Sequence, residues 1–272
     1  MPLISENSGS SVTFRPMTLN LNKNDIFVKV PAVTSFFWLI KVLATTVGET
    51  FADFINTNLN LGLTGTSAVM GTALLITLVV QFSGRRYVPF IYWLNIVLVS
   101  VAGTLITDNL TDNLGVPLWA SSVIFGLLLS ATFLLWFRQE RTLAMKSISS
   151  AKREAFYWLA ILLTFALGTA TGDWLAEAVG LGYGLSAFAY FAAIGLTALL
   201  WKRKLIGEIT AFWIAYILTR PLGASIGDLL AQTHKAGGLG LGTTTTSVIF
   251  LTAILASVSY LSVTKRDQIK NM

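Results

Sequence analysis

The chain has 272 residues, 54% hydrophobic and 12% charged, with a formal net charge of +6 and a pI near 9.6. A soluble domain carries about 25% charged residues, so this composition excludes an ordinary soluble globular protein, and basic residues that never gather on a soluble module exclude a nucleic-acid reader. The absence of cysteine removes disulfides, thiolate metal ligands and cysteine nucleophiles together, and the single histidine, His234, rules out a multi-histidine metal site.

Residues 1–30 are polar and rich in Ser and Asn, without a continuous apolar h-region. They predict a cytoplasmic N-terminal tail followed by an uncleaved first membrane helix. Eight apolar runs of about 20 residues, the length a bilayer core demands, predict an all-α integral membrane protein. The expected spans are 32–58, 64–83, 88–110, 117–137, 154–179, 183–201, 207–231 and 243–263. The first four fall in one half, 31–137, and the last four in a second, 154–264. A basic cytoplasmic linker, 138–153, separates the halves, and 265–272 forms a C-terminal tail. Gly-rich turns such as Leu61-Gly62-Leu63 and Leu181-Gly182-Tyr183-Gly184 join paired helices, because Gly accepts the positive φ of a tight turn. His234 and Lys235 precede the run Gly237-Gly238-Leu239-Gly240-Leu241-Gly242, expected to be a flexible external loop and no nucleotide fingerprint.

A fixed pattern recurs four times: an aromatic residue and Trp, nine residues, Gly, four residues, Asp. Phe37-Trp38 leads to Gly48 and Asp53, and Tyr92-Trp93 to Gly103 and Asp108. Tyr157-Trp158 leads to Gly168 and Asp173, and Phe212-Trp213 to Gly223 and Asp228. A gap-free recurrence of this kind marks an internal repeat. Each repeat pairs a helix bearing Trp, Gly and Asp with a purely apolar one. An even number of helices per repeat makes the four units parallel and pseudo-symmetric.

Orientation follows from the basic residues. Arg15, Lys23, Lys29, Arg85, Arg86, Arg138, Arg141, Lys146, Lys152, Arg153, Lys202, Arg203, Lys204, Lys265, Arg266 and Lys270 all fall before, between or after the pairs, whereas the turns within pairs hold only Lys235. Both termini are therefore expected in the cytoplasm. The aromatic pairs then lie near the cytoplasmic interface, where amphipathic rings anchor a helix, and the Asp residues in the outer half of the bilayer.

The Gly residues 48, 103, 168 and 223 suit close helix–helix packing. The carboxylates are harder to explain structurally, since each costs about 2.5–3.5 kcal/mol near the bilayer centre even on a lenient scale. Asp53, Asp108, Asp173 and Asp228, with Glu49, are expected to line a cation and proton site on a central axis. Helix glue or wet helix ends are the structural alternative. Glu49, Thr104 and Thr169 stand one turn before their Asp, and Thr50, Thr171 and Ser225 add hydroxyls. Arg220, deep in a span, is expected to offset a carboxylate, with Asp228 on the same helix a candidate, while Lys41 is near enough to the helix start to snorkel. Clustered carboxylates share protons or a cation. An all-oxygen ligand set favours Mg²⁺, Mn²⁺, Ca²⁺, a monovalent cation or protons over Cu⁺ or Zn²⁺, so the four Asp residues are candidate metal ligands.

The segments Gly48-Glu49-Thr50 through Asp53, Thr171-Gly172-Asp173-Trp174 and Arg220-Pro221-Leu222-Gly223 through Asp228 resemble a bacterial multi-pass family labelled only as uncharacterised membrane-anchored proteins. The resemblance spans residues 30–265 and implies a bacterial inner-membrane location. Gly172-Asp173 and Gly227-Asp228 are also loosely similar to hard-cation (Mn or Ca) exporters with repeated acidic-Gly-Asp motifs, although the basic and hydroxyl residues that follow in those motifs are missing here. The leading expectation is a secondary transporter, not an enzyme, that exports a small hard cation such as Mn²⁺ in exchange for protons. It needs no cofactor beyond a divalent cation at the carboxylates, its partners are the bilayer, the cation and protons, and it leaves room for a homo-oligomer. The alternatives are an intramembrane enzyme acting on lipid, which lacks an evident nucleophile–base pair, and a non-catalytic membrane scaffold.

Overall fold

The computed structural model describes residues 28–58 and 62–269. Most of the expected N-terminal tail, with Arg15 and Lys23, Leu61 of the first turn, and Lys270 with the last two residues lie outside the described residues. Eight long helices run in chain order: α1 (Ser35–Asn58), α2 (Gly62–Ser83), α3 (Pro89–Asp108), α4 (Leu118–Glu140), α5 (Ala151–Asp173), α6 (Tyr183–Lys202), α7 (Glu208–Ala231) and α8 (Thr243–Thr264). Single π-helical turns extend α3 over Asn109–Asn113 and α5 over Trp174–Ala178. Seven of the eight are long and apolar enough to cross a membrane, which makes this a membrane protein; α1, carrying Lys41, Glu49 and Asp53, is the exception.

Local chemistry sets the helix ends. Pro89 opens α3, where its missing N–H costs nothing. Ser150 caps α5 by accepting from the Arg153 amide at 3.3 Å. Arg141 and Lys265, both left-handed, close α4 and α8.

The eight helices form two shells. The inner shell is α1, α3, α5 and α7, each packed on the next and α7 on α1, so the ring closes. The outer shell is α2, α4, α6 and α8. Their outward faces expose Leu75, Ile76, Leu127, Leu128, Phe188, Phe191, Val248 and Ile249, an apolar surface suited to lipid. Each outer helix packs chiefly on the inner helix of the following repeat: α2 on α3, α4 on α5, α6 on α7, and α8 back on α1. The two helices of one repeat touch far less, so the repeat is a chain unit and not a packed hairpin.

Segment 138–153 is ordered and packed. Its ends are helical, Met145 and Ile148 are buried, and Glu140 pairs with Arg153 at 2.7 Å and with Lys152 at 3.5 Å. The Lys29 amide donates to Ile148 O at 3.1 Å, and Lys29 Nζ meets Glu154 Oε2 at 2.8 Å. Gln81 donates to the other Glu154 oxygen at 2.9 Å. Residues after α8 also join this end: Ala32 N donates to Asp267 O at 2.7 Å, and Tyr87 donates to the Asp267 side chain. Burial raises the Asp267 carboxyl above its ordinary range despite that bond. At the opposite end the Gly-rich loop is not free. Leu239, Gly240, Leu241 and Gly242 donate to the carbonyls of Leu229, Gln232, Leu230 and Ala231, satisfying the exposed end of α7. His234 Nδ1 lies 3.0 Å from Gly238 O within that fold.

Candidate functional site

The four repeat glycines are the contact points of the inner ring. A Cβ on Gly48 would collide with Ser100 of α3, and one on Gly103 would lie 2.6 Å from Phe165 Cβ of α5. At Gly168 it would strike Arg220 and Pro221 of α7, and at Gly223 it would strike Thr45 of α1. Each glycine thus meets the residue three positions before the glycine of the next repeat, and the fourth meets the first. This close approach holds the four inner helices parallel around one axis.

The aromatic pairs form a second ring at the start of the same helices. Phe37 packs on Trp93 at 5.6 Å between centroids, Tyr92 on Trp158 at 5.6 Å, Tyr157 on Trp213 at 6.4 Å and Phe212 on Trp38 at 5.7 Å. The Tyr92 and Tyr157 hydroxyls are hydrogen-bonded to each other. Six of the eight rings are buried and the other two, Trp38 and Phe212, half-buried. They are therefore core packing rather than the interfacial anchors their type suggests, because neighbouring pairs interlock at about 0.5–1.5 kcal/mol per pair beyond area burial.

Between the aromatic ring and the aspartates lie two buried cations. Lys41 does not snorkel: it is 0% exposed, with Nζ over the Phe165 ring at 4.1 Å and over Tyr216 at 4.3 Å. Arg220 is also 0% exposed. Its partner is Glu49 on the neighbouring helix α1, Nη2 to Oε2 at 2.8 Å, and not Asp228 on its own helix. Asp228 lies two turns further along α7, while the α1–α7 contact brings Glu49 directly opposite. The same Nη2 donates to Thr169 Oγ1 at 2.6 Å and to Thr104 Oγ1.

The carboxylates follow. Glu49, Asp173 and Asp228 each present an oxygen within 4.8 Å of the other two, so α1, α5 and α7 converge on one point. Asp53 and Asp108 fall outside this triad. Of the expected supporting hydroxyls, Thr104 and Thr169 face Arg220. Thr50 turns to the outer shell, where Ser247 of α8 donates to Thr50 Oγ1 at 2.8 Å, whereas the Thr171 hydroxyl donates back to Leu167 O of its own helix at 2.8 Å. Ser225 is buried one turn before Asp228, and its hydroxyl has no partner among the described residues. The π-helical turns start directly after Asp108 and Asp173, at the same register in two repeats. Such turns widen a helix and recur at functional sites.

A family model described as a repeat of unknown function, DUF347, matches residues 36–87, 91–142, 156–204 and 211–267, most of the chain. The chain belongs to the DUF347 repeat family. Each DUF347 match covers one inner helix and the outer helix after it, the same four units that the Trp, Gly and Asp spacing marks. No curated protein and no solved structure matches the chain.

Two elements of this DUF347 site are not evident from the Asp pattern: Lys41 with its aromatic box, and the three-way contact of Arg220. The repeat columns mark the odd residues but not their contacts. Lys41, Ile96, Ile161 and Tyr216 stand seven residues before the repeat glycine, and Thr45, Ser100, Phe165 and Arg220 stand three before it. A closed ring of parallel helices puts each column at one level.

Proposed function

We propose that this DUF347 protein is a secondary transporter that moves a small hard cation, Mn²⁺-like, against protons through its intramembrane carboxylates. The observation that carries the reading is the convergence of Glu49, Asp173 and Asp228, three oxygens within 4.8 Å of one another on three helices of the inner ring. Carboxylates this close in a low-dielectric site cannot all ionise without a compensating cation or protons. Oxygen-only ligands select hard ions. The unpartnered Ser225 hydroxyl beside Asp228 is available as a further oxygen ligand. Asp53 and Asp108, on the same ring of helices, extend the acidic surface toward the carboxylate end.

In this reading Arg220 and Lys41 supply fixed positive charge behind the site. The five carboxylates and these two cations leave an excess of three negative charges when all are ionised, which a divalent ion and a proton balance. The aromatic ring closes the axis on the side where the basic loops gather, the cytoplasmic side by charge asymmetry. A bacterial inner membrane with both termini inside is the setting proposed here.

The test is flux in proteoliposomes. Asp173→Asn and Asp228→Asn keep volume and remove charge, so both variants should purify and should lose at least tenfold in Mn²⁺ flux. Proton counterflow, read by an entrapped dye, should fall with it. Full Mn²⁺-driven proton flux by the Asp173→Asn/Asp228→Asn double variant would sink the reading and leave these groups as packing residues.

A further inference from the structure

The Arg220 contacts have a form that a plain ion pair does not. A single nitrogen, Nη2, meets three oxygens from three inner helices: Glu49 Oε2 on α1 at 2.8 Å, Thr169 Oγ1 on α5 at 2.6 Å, and Thr104 Oγ1 on α3. Nε and Nη1 of the same guanidinium find no partner among the described residues, although Arg220 is fully buried. A guanidinium placed for pairing alone would offer two nitrogens to its carboxylate. Here one nitrogen is held where three oxygens converge and the rest of the fork is left unsatisfied, an expensive arrangement for a buried group.

The three oxygens share a register. Glu49, Thr104 and Thr169 each follow the repeat glycine directly, and the fourth member of the column, Ala224, sits on α7 itself and carries no oxygen. The repeat that lacks the ligand is the one that supplies the cation. The nitrogen-to-oxygen separations to Glu49 and Thr169, 2.8 and 2.6 Å, suit a small monovalent ion. They are too long for Mg²⁺, which demands about 2.0–2.1 Å.

We infer that Glu49, Thr104 and Thr169 form a second, axial cation site for a monovalent ion, and that Arg220 is its tethered occupant. With Arg220 in place the axis is blocked by a charge that cannot leave the protein. With Arg220 withdrawn or removed, the three oxygens accept a free monovalent cation. The site shares Glu49 with the carboxylate triad but differs from it in ligands and in ion class, and it does not depend on the transport reading.

The experiment uses the full chain in detergent. Arg220→Ala is compared with the unmodified protein by thermal melting in K⁺, NH₄⁺, millimolar guanidinium and choline at equal ionic strength. Arg220→Ala should melt roughly 3–6 °C higher in the small cations or guanidinium than in choline, the shift expected near tenfold saturation. The unmodified protein should not discriminate among them. Adding Thr104→Ala and Thr169→Ala to Arg220→Ala should abolish the difference, whereas adding Asp173→Asn, which disables the triad, should preserve it. That last arm separates this inference from the transport proposal. Arg220→Ala that purifies in K⁺ or guanidinium but not in choline is the same rescue. If it purifies in none, Glu49→Gln/Arg220→Ala carries no uncompensated charge and should still prefer K⁺ over choline. Absence of cation discrimination in whichever variant purifies overturns the inference.

Discussion

At the residue scale, glycines with the same composition signal divide sharply by position. Gly103 faces Phe165 so closely that a Cβ would lie 2.6 Å from Phe165 Cβ and 3.0 Å from the Ala166 backbone nitrogen. Nothing there can yield, since the obstruction is the next helix itself. Gly103→Ala should therefore lose about 1–3 kcal/mol through overpacking. Gly195, inside α6, and Gly71, inside α2, have nothing within 4 Å of an added Cβ. There Ala should be neutral or stabilising by about 0.5–1 kcal/mol, because helix propensity rises without a clash. Thermal melts of the three variants decide it, and equal tolerance at Gly103 and Gly195 would remove the close-packed inner ring. Glu49 and Asp228 show the same dependence on place. Both are carboxylates on inner helices, yet only Glu49 meets Arg220, since the interhelical approach and not the spacing along α7 sets the pair.

At the element scale, the outer helices are staggered by one repeat. α8 does not rest on α7, its partner in the chain, but on α1, and Ser247 Oγ stands 2.8 Å from Thr50 Oγ1. The chain has no native cysteine, so an engineered pair is read against a clean background. Thr50→Cys/Ser247→Cys should form an intramolecular disulfide under mild oxidation, because hydroxyl oxygens this close put the two Cβ atoms within disulfide range. Protease cleavage in the 138–153 segment should then leave the two fragments linked on a non-reducing gel. Fragments that separate, or cross-links found only between two copies, would refute the closure of the ring through α8. The Gly-rich loop after α7 makes a related point. Its glycines allow the chain to turn back and cap the α7 carbonyls, so a composition that reads as flexible builds an ordered helix end.

At the scale of the whole molecule, four copies of one helix pair make a closed inner ring in a lipid-facing sheath. Its axis is layered, with aromatics first, then Lys41 and Arg220, then carboxylates. The layering depends on parallel inner helices, which require an even number of crossings per repeat. Reporter fusions after Lys204 should therefore read cytoplasmic and fusions near Gly238 external, given the basic residues gathered at the aromatic end. The reverse at either position would require an odd crossing and break the parallel arrangement. Lys29 and Glu154, with Gln81, and Asp267 with Tyr87 tie the segments before α1 and after α8 to the same end. The two ends of the described chain therefore lie on the side that the aromatic ring closes.

The sequence by itself determined the number of helices, the four-unit repeat and the Gly and Asp positions, because hydrophobic length and fixed spacing are local properties of the chain. It also placed Thr104 and Thr169 on the face of Glu49, since residues at one repeat position share a level whenever the units are parallel. Only the tertiary structure decided which helix meets which. The stagger of the outer shell, the burial of the aromatic pairs and the depth of Lys41 arise from packing between helices, and the pairing of Arg220 with Glu49 and the seating of α8 arise across the α1–α7 and α1–α8 contacts. Those contacts join residues more than 170 positions apart. No periodicity records such a contact: a closed ring brings the last repeat against the first through geometry alone, and that closure selects which charges face each other.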